Sequence, residues 1–188
     1  MTAEDRVRWD KIYRQSQTPY PDPDPFLLQF TPAVLEDESK SALDLAGGLG
    51  QNGLWLAQQG YETDIMDISR AALERARSEM AMRNLRNANL LQVDIDGLRL
   101  PAQSYDLICV FRYLKPHLFD QIRKALKIGG RVIYETYNVD YLELVPKFNP
   151  AYLLEHKALE RYFFGWHQIF SETDRHISRI VAVKKQEN

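Results

Sequence analysis

Asp44-Leu45-Ala46-Gly47-Gly48-Leu49-Gly50-Gln51-Asn52-Gly53 holds four of the nine glycines in this chain. The apolar residues leading into it, 41–45, read as a strand, and residues 52–59 read as a helix closed by Gly60. Glycines at a strand-to-helix turn let the backbone come close to a ligand and take up angles that side chains resist. The helix start adds a partial positive charge suited to a carboxylate or a phosphate. A tight turn that needs glycine for its own sake is the plainer reading; the density of glycine at this one place weighs against it.

Outward from that turn, strand and helix patterns alternate. Residues 63–67 predict a second strand, and Ser69 caps a helix with Ala72, Leu73, Ala76 and Met80 along one side. Residues 89–94 and 105–111 predict the third and fourth strands. Pro116 opens a helix with Leu118, Ile122 and Leu126 inward, ended by Gly129-Gly130, before a fifth strand at 131–137. Residues 151–163 look helical. Two last strands, 167–171 and 177–183, have too short a link for a helical crossover and should pair as an antiparallel hairpin. The expected class is α/β, a Rossmann-like doubly wound sheet, mostly parallel with an antiparallel last strand and helices on both faces.

Upstream, Trp9, Ile12 and Tyr13 share one face of a short helix, and residues 18–25 hold four of the nine prolines, predicting a stiff extended strap. The expectation is a single domain over 1–188, with helix and strap at 1–40, a nucleoside-binding core at 41–137, and a C-terminal helix and hairpin at 138–188. At 188 residues, 45% hydrophobic and 27% charged, the chain has enough apolar material for its own core. The single cysteine, Cys109, permits no internal disulfide. A charged start and no long apolar run point to a cytoplasmic protein with no membrane partner. A net charge of -2 argues against nucleic acid. His156, His167 and His176 lack metal-ligand spacing, so no metal is expected. Tyr162, Phe163, Phe164 and Trp166 read as core packing.

Gly48 to Gly53 also satisfies the dinucleotide pattern G-x-G-x-x-G, which alone is weak. Three acids carry more information: Asp44, Asp67 and Asp94 each fall at the C-terminal end of a consecutive predicted strand, 23 and 27 residues apart. Asp67 can accept from both hydroxyls of a ribose, and Asp94 from an adenine amino group between Ile68 and Ile95 as apolar plates. Asp44 can stabilise an ammonium or hold the loop in shape, whereas a pyrophosphate beside it would be repelled. S-adenosylmethionine, with an ammonium, a sulfonium, a ribose and an adenine but no phosphate, fits better than NAD. Capping is the plainer role for each aspartate taken singly.

Residues 44–57, the acid Asp67, Val93-Asp94, Tyr105-Asp106-Leu107-Ile108 and Leu126 to Thr136 together resemble the class I S-adenosylmethionine-dependent methyltransferases. The group most similar is the small, single-domain one typified by tellurite-resistance methyltransferases. Trp9-Asp10-Lys11-Ile12-Tyr13 and Asn149-Pro150-Ala151-Tyr152-Leu153-Leu154 look like further pieces of it. The resemblance implies a seven-stranded sheet, close approach at Gly48 and Gly50, Asp67 as the ribose ligand and Asp94 as the adenine contact. The whole expected cofactor-binding set is Tyr13, Asp44, Gly48, Gly50, Asn52, Asp67, Ile68, Asp94, Ile95 and Phe111. Gln51 departs from the basic residue that members often carry after the second glycine.

Methyl transfer then needs an acceptor in line with the methyl group. Segments after the fourth and fifth strands, with the N-terminal strap, should build that side, nominating Arg112, Tyr113, Lys115, His117 and Tyr137. Arg112, Tyr113 and His117 are the candidates for catalysis. The positive charge of Arg112, Lys115 and His117 favours a small anionic acceptor. Phe111-Arg112-Tyr113-Leu114 lacks the Asp/Asn-Pro-Pro-aromatic motif of enzymes that methylate base amino groups. A protein that binds the nucleoside without turnover, and a small NAD-dependent oxidoreductase, are the alternatives.

Overall fold

The computed structural model describes residues 3–186, so Met1, Thr2, Glu187 and Asn188, the ends of the span read as one domain, lie outside the described residues. Seven strands, in the order Ala88–Gln92, Glu62–Asp67, Ser41–Leu45, Tyr105–Phe111, Leu126–Tyr137, Ile177–Val183 and His167–Asp174, form one sheet flanked by helices. The chain divides into two compact units, residues 1–99 and 100–188.

The first unit contains α1 (Ala3–Gln15), α2 (Pro25–Phe30), β1 (Ser41–Leu45), α3 (Gln51–Gln58), β2 (Glu62–Asp67), α4 (Arg70–Met82) and β3 (Ala88–Gln92). β2 lies parallel to both β1 and β3, with Asp44 opposite Ile65 and Asp67 opposite Gln92. Both connections pass through a helix, as parallel pairing requires. Leu54, Ala57, Ile65, Leu73 and Ala88 form a buried core that Tyr20, Met80, Leu85 and Leu90 surround. Each leucine or isoleucine side chain among them taken from water contributes about 1.5–3 kcal/mol. α4 starts where expected, the Ser69 hydroxyl accepting from the Ala72 N–H at 3.2 Å.

The strap is not extended to its end. Its last proline, Pro25, becomes the first residue of α2, whose cap is Asp24 accepting from the Phe26 N–H at 2.9 Å. Proline suits that position because its missing N–H has no helical partner there. The third strand ends at Gln92 rather than at residue 94. Asp94 instead caps a 3-10 turn, Ile95–Gly97, by accepting from the Asp96 N–H at 3.0 Å.

The second unit contains β4 (Tyr105–Phe111), α5 (Leu118–Ala125), β5 (Leu126–Tyr137), α6 (Ala158–Tyr162), β6 (His167–Asp174) and β7 (Ile177–Val183). β4 and β5 are parallel, β7 is antiparallel to β5, and β6 and β7 form the expected hairpin. α5 buries Leu118, Phe119, Ile122 and Ala125. It stops at Ala125 and not at Gly129, because Leu126 turns extended and pairs with Tyr105.

The stretch 151–163 is α-helical only over α6, with a 3-10 turn over Pro150–Tyr152 before it. Leu154 donates its N–H to the Tyr137 carbonyl at 3.0 Å and accepts from the Val139 N–H at 3.1 Å, which pulls the chain into a strand-like bridge. Phe163 and Trp166 are core residues as expected, but Phe164 is 81% exposed. Cys109 is buried in β4.

Candidate functional site

Within residues 1–99 the glycine turn is wired to two of the three acids. Asp44, at 1% exposure, accepts from the Gly53 N–H at 2.9 Å and so ties the end of β1 to the first turn of α3. A Cβ on Gly47 would lie 2.6 Å from the Asp44 Oδ2, so only glycine passes there. Asp67, at 8% exposure, accepts from the Gly48 N–H with Oδ2 and from the Ser69 N–H with Oδ1, both at 2.8 Å. The Ile68 N–H also acts on this carboxylate, and two oxygens with about four acceptor sites still leave capacity for a further donor. Burial pushes the Asp67 carboxyl up, opposed by the N–H groups of Ser69, Gly48 and Ile68 and reinforced by the charge of Asp10.

Asp94 is exposed and lies beyond β3; the Val93 N–H bonds the Asp67 carbonyl at 3.0 Å, so the two strand ends adjoin. Ile68 is nearly buried and Ile95 wholly so, which leaves Ile95 no free face in this form. Gly50 caps α3 at φ +76, a left-handed angle that favours glycine. Asn52 is buried, and its Oδ1 accepts from the Asp24 N–H at 2.8 Å, so it also anchors the strap.

The N-terminal segment, which carries Tyr13 of the expected cofactor-binding set, is fastened to the glycine turn. A Cβ on Gly48, which sits at φ +56, would meet the Tyr13 hydroxyl at 2.6 Å. Burial pushes the Tyr13 phenol up, with the Asp67 and Asp44 carboxylates adding to the effect and Arg75 opposing it. Tyr20 donates to the Leu49 carbonyl at 2.7 Å, and Arg75 donates to the Thr18 carbonyl at 2.9 Å.

Asp10 accepts from the Ser69 hydroxyl at 2.7 Å and the Ala71 N–H at 3.0 Å, giving α4 a second cap. Sequence reading missed Asp10; its signal is the i, i+3 spacing that puts it on the Tyr13 side of α1. Burial works against ionisation of Asp10, but the Ala71 N–H, the Ser69 hydroxyl and the charges of Arg14 and Arg6 outweigh it and hold the carboxyl below its usual range. The stability it contributes is present above the unfolded value of about 3.9 and is lost as pH falls through the lower folded value. Asp10→Ala is expected to weaken the docking of α1 by about 1 kcal/mol, as for a lost cap. Faster amide exchange confined to α1 would show it; exchange unchanged in α1 would refute it.

Within residues 100–188, Phe111 is half-buried at the end of β4 and faces Glu135 in register. Arg112 follows at φ +56, exposed, with its Nη1 2.8 Å from Glu135. Tyr113 is half-buried, and its carbonyl accepts from the Tyr134 hydroxyl at 2.7 Å. Lys115 lies 5.9 Å from the ring centre of Tyr152, and His117 is exposed at the start of α5 without a capping bond. Arg112 thus belongs to an ionic and aromatic cluster with Glu135 and Tyr137. Among the described residues no group of His, Cys, Asp and Glu is arranged to hold a metal ion, and no helix is long and apolar enough to cross a membrane.

Residues 42–130 match the family described as methyltransferase domain. No curated protein matches the sequence. Among solved structures, TehB from Haemophilus influenzae aligns with 79% of this chain at 16% identity and TM-score 0.69; the match spans 59% of that protein. An S-adenosylmethionine-dependent methyltransferase from Mesorhizobium loti aligns with 85% of this chain and 96% of its own, at 18% identity and TM-score 0.68. Phosphoethanolamine N-methyltransferase 2 from Haemonchus contortus, solved with S-adenosyl-L-methionine, aligns with 86% of this chain and 51% of its own, at 18% identity and TM-score 0.69.

Proposed function

The chain carries the methyltransferase domain of the class I, S-adenosylmethionine-dependent fold, and from that premise we propose that it transfers a methyl group from S-adenosylmethionine to a small-molecule acceptor. The observation that supports this most is the Asp67 carboxylate, buried at the end of β2 and bonded to the glycine turn through Gly48. A carboxylate held in that way keeps acceptor capacity that suits the two hydroxyls of a ribose. When bound, S-adenosylmethionine supplies an electrophilic methyl group on a sulfonium, a leaving group that needs no acid.

The residues then have positional work. Asp67 orients the ribose. Asp44 faces the ammonium while keeping the turn shaped through Gly53. The Tyr13 hydroxyl, kept protonated by burial and two carboxylates, is a donor for the methionyl carboxylate. Asp94, beside the end of β2, takes the adenine amino group. No pyrophosphate suits a turn flanked by two buried acids, which argues against NAD. On the acceptor side, Arg112, Lys115 and His117 favour an anion, and alignment of two bound molecules supplies most of the rate, up to about 7–11 kcal/mol in the best cases. The working compartment is the cytoplasm.

Calorimetry with S-adenosylmethionine, S-adenosylhomocysteine and NAD, followed by labelled methyl donor with a metabolite extract, tests the proposal. Donor binding and a labelled product are expected. Donor binding without product would leave a nucleoside-binding protein, and NAD binding in place of the donor would overturn the reading.

A further inference from the structure

Across the second unit runs a rung of alternating charge. Glu172 on β6, Arg179 on β7 and Glu135 on β5 face one another in register, and Phe111 of β4 completes the row, with Arg112 next in sequence. Glu172 is 3.1 Å from Arg179, Arg179 bonds the second oxygen of Glu135 through Nε, and the first oxygen of Glu135 is 2.8 Å from Arg112. The order of charge is therefore minus, plus, minus, plus, and it ends on the Arg112 guanidinium.

That last cation is held from several sides. Glu135, only 1% exposed, stands 2.8 Å from one corner of the guanidinium as an ion pair without hydrogen-bond geometry. The Arg112 N–H donates to the Glu135 carbonyl at 2.8 Å, and φ is +56, a conformation that a non-glycine residue keeps only when its surroundings impose it. The guanidinium lies 5.0 Å from the ring centre of Tyr137. Tyr137 stacks on Tyr141 at 4.0 Å, and Phe148 stands edge-on to Tyr141 at 5.1 Å. All three rings are half-buried and keep exposed surface. Among the described residues only Glu135 pairs ionically with Arg112, and the Arg112 side chain is partly exposed.

We infer that Arg112 and the Tyr137–Tyr141–Phe148 group form a recognition site for an aromatic carboxylate, with Glu135 as the positioning residue that presets the guanidinium. A planar fork matches a carboxylate through two parallel hydrogen bonds, and one face already stacked on an aromatic ring loses little freedom on binding. A ring conjugated to that carboxylate lies in the same plane and meets the neighbouring aromatic surface. A neutral ligand would gain no charge-assisted bond from the Arg112 N–H groups that Glu135 does not take. Calling this ligand the methyl acceptor rests on the methyl-transfer reading; the binding site itself does not.

The test is calorimetry of the full chain with benzoate, cyclohexanecarboxylate and benzyl alcohol, together with the 15N–1H signal of Arg112 Nε. Benzoate is expected to bind and move that signal, cyclohexanecarboxylate to bind several-fold more weakly, and benzyl alcohol not to bind. Arg112→Gln should weaken benzoate about tenfold or more, the worth of a charge-assisted pair. Glu172→Gln, an exposed outer link whose loss does not threaten folding, should weaken it about twofold and shift the Arg112 signal. The control is Lys124→Gln with Lys185→Gln, in the basic groove shared by Arg123 and Lys184. Benzoate binding that survives Arg112→Gln, or that is lost in the control, overturns the proposal. Equal binding of the two carboxylates overturns its aromatic part. Donor affinity measured on the same samples separates the two readings: no donor binding with benzoate bound strikes only methyl transfer, and the reverse strikes only this site.

Discussion

Asp67→Asn is expected to lower the affinity for S-adenosylmethionine about 100-fold or more while the chain still folds. Both oxygens of Asp67 already accept amides, from Gly48 and Ser69. An asparagine can turn only one oxygen to them, so its NH2 faces a donor and the second ribose bond is lost as well. Each charge-assisted bond forgone is worth about 1.5–3 kcal/mol. Asp94→Asn, at an exposed cap, should cost far less, within about tenfold.

The pH dependence carries a sign that separates ligand binding from stability. Burial raises the Asp67 carboxyl, helped by Asp10 and opposed by three backbone N–H groups. Its contribution to stability is therefore fully present below the unfolded value of about 3.9 and is lost as pH rises through the folded value. Donor binding needs the ionised acceptor and runs the other way, falling on acidification from a pH above the ordinary carboxylate range. Asp67→Asn should abolish both trends. Calorimetry across pH, paired with denaturant unfolding of the free protein, reads the two; parallel slopes would count against Asp67 as the ribose ligand. The Asp10 effect is distinct, since it lies below the ordinary range and has the opposite sign for stability.

Gly48→Ala is the second large effect, and Tyr13→Phe should largely relieve it. The new Cβ would stand 2.6 Å from the Tyr13 hydroxyl, inside any real contact distance, and at φ +56. Overpacking costs about 1–3 kcal/mol and the left-handed angle about 1–2 more. Removing the hydroxyl leaves the ring carbon that bore it 3.5 Å away, an ordinary contact, so the double variant retains only the backbone cost. A coupling of about 1–2 kcal/mol in denaturant unfolding is expected. Strict additivity would show that Tyr13 does not rest on Gly48 in solution. With the hydroxyl gone, donor affinity should fall even where stability returns, because the methionyl carboxylate loses its donor.

Strand and helix periods, four clustered glycines and an acid within two residues of three strand ends were enough to read the order of elements and the place of the turn. Those signals are local: a buried parallel strand must be apolar, and a close backbone passage must lack Cβ. The errors also have local causes. Pro25 was read as continuing the strap because one proline looks the same in an extended segment and at the first position of a helix. Residues 151–163 have a helical pattern, but a carbonyl at Tyr137 and an N–H at Val139 claimed Leu154 for a bridge.

By itself, then, the chain's order of residues determined the class of fold, the glycine elbow and the acids beside it, because each depends on neighbours a few positions away. Tertiary structure alone decided that Asp10 caps a helix some 60 residues on, that Tyr13 leans on Gly48, and that Arg112 ends a four-membered row of charge. These pairings join residues from separate elements. Their energies come from burial and from hydrogen-bond geometry, which arise only when strands have found their register and water has been excluded between them.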